Sequence, residues 1–164
     1  RMEEGRMALH LKPELLSEVV GGAMQRLEKY GSTHHLRVEQ EDDLLMARID
    51  ARLILQVLTN LIDNAVKYTP PGSEIAVRTL RRDGMVVVEV ADTGPGIPDA
   101  DKEKVFEMFY TSAGSDARRG MGLGLALCKS IVNAHGGTIS ISDNVPHGAV
   151  FSFTLQEERI DLPS

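Results

Sequence analysis

The stretch Met85-Val86-Val87-Val88-Glu89-Val90-Ala91-Asp92-Thr93-Gly94-Pro95-Gly96 decides how the chain is read. Val86, Val88 and Val90 fall on one face of an extended chain, with Val87 and Ala91 on the other. A strand apolar on both sides belongs well inside a sheet. Its partner lies immediately upstream, where Glu74 to Arg82 alternates in the same way and Asp83-Gly84 supplies a tight-hairpin signal. Downstream the strand delivers Asp92-Thr93-Gly94-Pro95-Gly96-Ile97-Pro98, an acid followed by alternate glycines. Taken alone, that is equally a turn capping the next helix and the wall of a site.

Upstream of the hairpin, Asp50 is placed to cap a helix that runs to about Tyr68 and stops before Pro70-Pro71-Gly72. Leu53, Ile54, Val57, Leu58, Leu61, Ile62, Ala65 and Val66 cover more than one face of it, so the helix is largely buried. Asn60, Asn64 and Lys67 nevertheless share one stripe at i, i+4 and i+7. Buried amides need partners, so the stripe either faces water or lines a cavity that holds something polar. Further upstream, Met7 to Leu11 suits a short edge strand, and Pro13 the first turn of a helix. That helix carries Leu15, Leu16, Val19, Val20, Ala23, Met24 and Leu27 and is closed by Gly31. Gly21 and Gly22 in its middle cost about 2 kcal/mol against alanine, so packing must hold it. Leu36 and Val38, then Leu44 to Ile49, read as two strands around the acidic turn Glu41-Asp42-Asp43.

Downstream, residues 99–109 read as a short helix bearing Phe106 and Phe109. Thr111 to Gly120 is small and polar, ends in Arg118-Arg119, and is expected to be mobile. The run Gly120-Met121-Gly122-Leu123-Gly124-Leu125 then leads into an apolar helix that reaches about His135. Glycines here free the backbone for positive φ and close approach, and the helix start offers unpaired N–H groups and a positive dipole end. The two together make a site for an anion, most commonly phosphate. Leu123, Leu127, Ile131 and Ala134 are assigned to the buried face, and Gly136-Gly137 ends the helix. Thr138 to Ser142, and Ala149 to Leu155 with Phe151 and Phe153 inward, complete the sheet around a turn at Asp143 to Gly148. Glu157 to Ser164 is a charged tail, expected to be unstructured. The order predicts an α+β two-layer sandwich, with helices on one face of a mixed, mostly antiparallel sheet.

Composition narrows the function. A chain of 164 residues suits one domain, and its net charge of −6 argues against a surface for nucleic acid. Cys128, the single cysteine, sits in an apolar helix and fits core packing. His10, His34, His35, His135 and His147 lack ligand spacing and read as surface or capping residues. Apolar runs are too short to span a bilayer and no signal peptide is visible, so a cytoplasmic location is expected, with any membrane contact made through other parts of a larger sensor.

A nucleotide with Mg²⁺ accounts for the amide stripe, the acid with glycines and the phosphate-competent helix start together. An asparagine oxygen suits Mg²⁺, Lys67 and the arginines offset phosphate charge, and ionised Asp92 can accept from the amino group of adenine but would oppose guanine O6. The site is therefore expected to prefer ATP. No glycine precedes a lysine directly, which excludes a P-loop, and neither glycine cluster has the offsets of a Rossmann fingerprint.

These residues also match a family pattern. Asn60-Leu61-Ile62-Asp63-Asn64-Ala65-Val66-Lys67-Tyr68 resembles an N box, Asp92-Thr93-Gly94-Pro95-Gly96 a G1 box, Phe106-Glu107-Met108-Phe109 an F box and Gly120-Met121-Gly122-Leu123-Gly124-Leu125 a G2 box. In this order they resemble the catalytic, ATP-binding domain of two-component sensor histidine kinases, with flanking segments most similar to Kdp-type potassium-responsive kinases. The resemblance implies the Bergerat fold, with residues 14–156 as the catalytic domain and 107–121 as an ATP lid. It implies Asn64 as the Mg²⁺ ligand, with Asn60 and Lys67 acting beside it. Tyr68, Asp92, Gly94, Gly96, Ile97 and Phe106 would also contact or shape the nucleotide site, as would Arg118, Arg119, Gly120, Gly122, Leu123, Gly124 and Leu125. Its implied partners are the kinase's own dimerisation domain and a response regulator. His10 is followed by Leu11 and has its proline three positions on, so it does not match the family's acceptor histidine. Residues 1–13 are accordingly expected to be a junction to dimerisation helices. The gyrase and MutL branches of the fold carry a glutamate where this chain has Asn60, and an amide cannot act as a base.

Overall fold

The structure, a computed structural model, describes residues 8–107 and 121–159, the first three of the second segment by backbone only. Strand β5 (Met85–Asp92) occupies the middle of a five-stranded sheet, flanked by β4 (Glu74–Arg82) and β7 (Ala149–Gln156). Outside them lie β2 (His35–Gln40) beside β4 and β6 (Ile139–Asp143) beside β7. The β2–β4 pair is parallel and the others antiparallel, which is the expected mixed sheet. Asp83 and Gly84 both take positive φ at the β4–β5 hairpin, as a tight two-residue turn demands.

Register builds the core. Val86, Val88 and Val90 stand opposite Leu155, Phe153 and Phe151 on one side, while Val88 and Val90 meet Thr79 and Val77 on the other. This single face carries the helices α1 (Leu16–Arg26), α2 (Ala51–Lys67) and α3 (Met121–Ala134), whose buried residues join it in one hydrophobic cluster. Asp50 caps α2 as expected, its Oδ1 accepting from Leu53 N at 3.4 Å. His135 ties the end of α3 to that cap. Its Nδ1 donates to Ile131 O at 2.8 Å, and its Nε2 accepts from Asp50 N at 3.1 Å, so the ring is held in one neutral tautomer.

Several local expectations are corrected. The first strand, β1, is Lys12–Leu15 rather than Met7 to Leu11, and Pro13 lies in it instead of opening a helix. The strand pairs only with β3 (Met46–Ile49), an edge that tolerates a residue lacking N–H. Helix α1 ends at Arg26, and the chain tightens into a 3₁₀ turn over Glu28–Ser32, so Gly31 is not its cap. Strands β2 and β3 do not form a hairpin. Leu36 and Val38 register with Ile75 and Val77 in the large sheet, whereas β3 belongs to the two-stranded ribbon. In place of a helix over 99–109 there are two 3₁₀ turns, Asp99–Asp101 and Lys104–Phe106, and Phe109 lies outside the described residues. The buried face of α3 is Leu125, Cys128, Ile131 and Val132. Leu127 and Ala134 are exposed, because the Leu125–Cys128–Val132 stripe turns toward α2. The start of the tail is tied down: Glu158 N donates to Met46 O, and the Glu157 carboxylate receives the Arg81 guanidinium at 2.7 Å, while residues 160–164 lie outside the described residues.

Replacing His135 by phenylalanine would leave the buried Asp50 N–H without its acceptor. Urea unfolding should show a loss of about 1–3 kcal/mol; an unchanged midpoint would remove His135 as the tie between α2 and α3.

Candidate nucleotide site

Asp92 ends β5 and continues the alternation of Val86, Val88 and Val90, so its side chain turns toward the helical layer, where it is buried. Oδ1 accepts from Gly94 N at 2.9 Å and from Ala149 N at 3.2 Å, which fixes the carboxylate between the loop after β5 and the start of β7. Across from it, on the last turns of α2, lies Asn64. It is buried, and its Nδ2 has no hydrogen-bond partner among the described residues. Asn64, Ala65, Tyr68 and Thr69 on one side, and Asp92, Pro95, Gly96 and Ile97 on the other, line one hollow that opens to solvent. Ala149 and Phe151 floor it, and Phe106 supports that floor, edge-on to Phe151 with ring centroids 6.2 Å apart.

The glycines are required by close approaches. A Cβ on Gly94 would sit 2.4 Å from Thr69 Cγ2, and Gly96 takes a φ of +80°. The β6–β7 turn closes the loop from the other side, which the sequence reading left as a plain connection. Asn144 Nδ2 donates to Asp92 O at 2.7 Å, and His147 Nδ1 donates to Gly94 O at 3.0 Å. Gly148 has a φ of +118°, and a Cβ there would lie 1.9 Å from Asp92 O. The glycine just before a strand was the visible signal, but the residue it accommodates is 56 positions away in chain order (148 − 92).

The stripe on α2 does not act as one. Asn64 alone faces the hollow. Asn60 is half-buried and lies beside the Cys128 thiol on α3, which donates to Val57 O at 3.8 Å. Burial pushes that thiol up to about 12 against the opposing pull of Asn60. Lys67 is exposed and pairs with Asp63 at 2.9 Å, while the Tyr30 hydroxyl donates to the other Asp63 oxygen at 2.6 Å. Burial alone would raise the Asp63 carboxyl. The Tyr30 hydrogen bond and Lys67 outweigh it and hold the carboxyl below its ordinary range.

At the helix start the expectation also changes. Gly122 and Gly124 lie within the first turn of α3 instead of in a loop before it, so both are helical. A Cβ on Gly124 would meet nothing within 4 Å among the described residues. Leu125 is fully buried in the core and does not line the hollow. Nothing is described of the Leu123 side chain, and Arg118, Arg119, Gly120 and nearly all of the expected lid lie outside the described residues. Among the described residues no group of His, Cys, Asp and Glu could hold a metal by itself.

Residues 49–159 match the family described as histidine kinase-, DNA gyrase B-, and HSP90-like ATPase. The chain belongs to this family. It is 41% identical over 160 residues to a sensor protein KdpD of Clostridium acetobutylicum, a match that covers 96% of this chain and 18% of that relative's length. The catalytic domain of histidine kinase ThkA superposes with a TM-score of 0.80 at 28% identity, covering 91% of this chain and 98% of that one. Full-length ShkA, solved in complex with AMPPNP, superposes at 0.82 with 25% identity over 96% of this chain and 33% of that one. ThkA has also been solved in complex with the response regulator protein TrrA, with a TM-score of 0.75, 28% identity and coverage of 92% and 42%. The expected fold is the one observed. No helix among the described residues is long and apolar enough to cross a membrane.

Gly148→Ala should cost about 3 kcal/mol, because it combines a left-handed backbone with a clash against Asp92 O; chemical denaturation measures this. Tyr30→Phe should cost about 1 kcal/mol near neutral pH. The Asp63 carboxyl is depressed in the folded state, so its stabilisation is complete above the ordinary carboxylate range and is lost as the pH falls through the folded value. The difference between wild type and Tyr30→Phe should therefore shrink below about pH 4, as measured by unfolding across pH.

Proposed function

We propose that this chain is the ATP-binding catalytic domain of a sensor histidine kinase, presenting the γ-phosphate of ATP to a histidine on a dimerisation domain. The observation that carries the reading is the shared hollow: a pinned, buried carboxylate at Asp92 faces a buried Asn64 amide whose Nδ2 has no hydrogen-bond partner among the described residues. The first suits an adenine amino group, because a carboxylate accepts where guanine O6 would also accept. The second suits the phosphate end. Mg²⁺ keeps several waters and takes most of its oxygens from phosphates, so Asn64 Oδ1 can be its one protein ligand; bound there, the ion would neutralise phosphate charge.

The remaining residues position and exclude. Gly94 and Gly96 let the backbone approach the base, and Ile97 and Phe151 present apolar surface to it. The N-terminal turn of α3, with Gly122 and Gly124, would receive the phosphates through backbone N–H groups. Lys67, already paired with Asp63, lies one helical turn from Asn64 and would add positive charge there. In transfer, a histidine nitrogen of the dimerisation domain forms a bond to the γ-phosphorus as the bond to the β–γ bridging oxygen breaks, leaving ADP. This domain contributes alignment and charge stabilisation. Asn60 faces Cys128 and cannot take a proton from water, so hydrolysis by this chain should be slow. The response regulator would take the phosphoryl group from the histidine, in keeping with the family's pairing.

Calorimetry should show Mg·ATP binding and GTP binding weaker by about fivefold to a hundredfold, the range expected for one mismatched buried hydrogen bond of about 1–3 kcal/mol. Asp92→Asn should weaken ATP binding by a similar factor and erase the preference. Absence of ATP binding by wild type would reject the reading.

A further inference from the structure

His34 is 5% exposed and sits between the 3₁₀ turn after α1 and strand β2, away from the hollow. Its ring is nonetheless bonded at both nitrogens. Nε2 lies 3.0 Å from Thr69 Oγ1 and 3.3 Å from Thr69 O, and Nδ1 lies 3.0 Å from Thr33 Oγ1. Thr69 is a wall of the hollow, and its hydroxyl already donates to Ala65 O at 2.7 Å. A hydroxyl has one hydrogen, so Thr69 Oγ1 can only accept from His34, and the ring carries its hydrogen on Nε2.

Two hydrogen bonds therefore fix χ1 of Thr69. With the hydroxyl held toward α2 and His34, the remaining branch, Cγ2, is directed at Gly94, where a Cβ would come within 2.4 Å. The loop after β5 thus rests on a methyl whose position is set by His34. The segment bearing the histidine is itself stitched to the same turn, with Gly72 N donating to Thr33 O at 2.6 Å and His35 N to Ser73 O at 3.0 Å. It cannot follow Thr69 if the threonine rotates.

We propose that His34 is a positioning residue for nucleotide binding: by donating from Nε2 to Thr69 Oγ1 it locks the Thr69 methyl against Gly94 and so sets the shape of the base pocket. This rests on the reading of the hollow as an adenine nucleotide site. Thr69 lies two residues past the end of α2, and without the second hydrogen bond its methyl and hydroxyl can exchange places between staggered rotamers.

The test pairs two polar replacements of different reach. Glutamine at 34 can place its amide N–H where Nε2 stands, whereas asparagine reaches only as far as Nδ1 and addresses Thr33. ADP binding is measured by calorimetry on folded protein, so that altered stability, read separately by thermal unfolding, does not enter the ratio. His34→Gln should bind within about twofold of wild type and His34→Asn about five- to tenfold more weakly, the size of one neutral hydrogen bond. In a Thr69→Val background, where no hydroxyl remains to be oriented, His34→Asn should change the affinity less than twofold. Equal binding by His34→Asn and wild type would overturn the proposal, as would a full loss from His34→Asn persisting in the Thr69→Val background. Failure of wild type to bind ADP or ATP at all would instead reject the nucleotide reading itself.

Discussion

The arrangement depends on the two-residue period of strand β5. Because side chains alternate, the parity that sends Val86, Val88 and Val90 into the apolar layer also sends Asp92 there. A carboxylate in that layer is unfavourable unless it is bonded, and two backbone N–H groups, from Gly94 and Ala149, meet this need. Their donors come from the loop after β5 and from β7, so stabilising one charge also fixes two chain segments. The hollow exists because these segments stop short of α2 and the turn after it, where Asn64 and Thr69 form the facing wall.

The turn between β6 and β7 is what makes this arrangement rigid. Asn144 and His147 bond the backbone of residues 92 and 94, and Gly148 lets the two strands of chain pass with no side chain between them. On the opposite wall, Thr69 is held by α2 and by His34. Both walls are therefore secured from behind by polar contacts that do not enter the hollow. Such contacts restrict the pocket to one shape, which lowers the ordering cost that a ligand must otherwise meet.

Charge is distributed differently on the outside. Lys67, Asp63 and Tyr30 form a partly exposed chain along α2, and Arg37, Glu39, Arg78 and Glu74 form another across β2 and β4. Exposed pairs of this kind contribute little to stability individually.

The sequence by itself determined the layer order, the central strand, the hairpin at Asp83-Gly84, the Asp50 cap and the burial of Cys128, because these follow from periodicity, turn chemistry and propensity within short windows. It also marked Asp92 and Asn64, the one by the acid at the end of an apolar strand and the other by an amide on a greasy helix. The tertiary structure placed Asn60 beside Cys128 and paired Lys67 with Asp63. It alone decided that α3 buries Leu125, Cys128 and Val132, and that β2 and β3 part to different sheets. Each of those outcomes depends on which neighbour lies across a gap, and a helical or extended repeat carries no information about what faces it. The same holds for Gly148 and His34: their roles come from contacts across 56 and 35 positions of chain (148 − 92; 69 − 34), made only when the layers close.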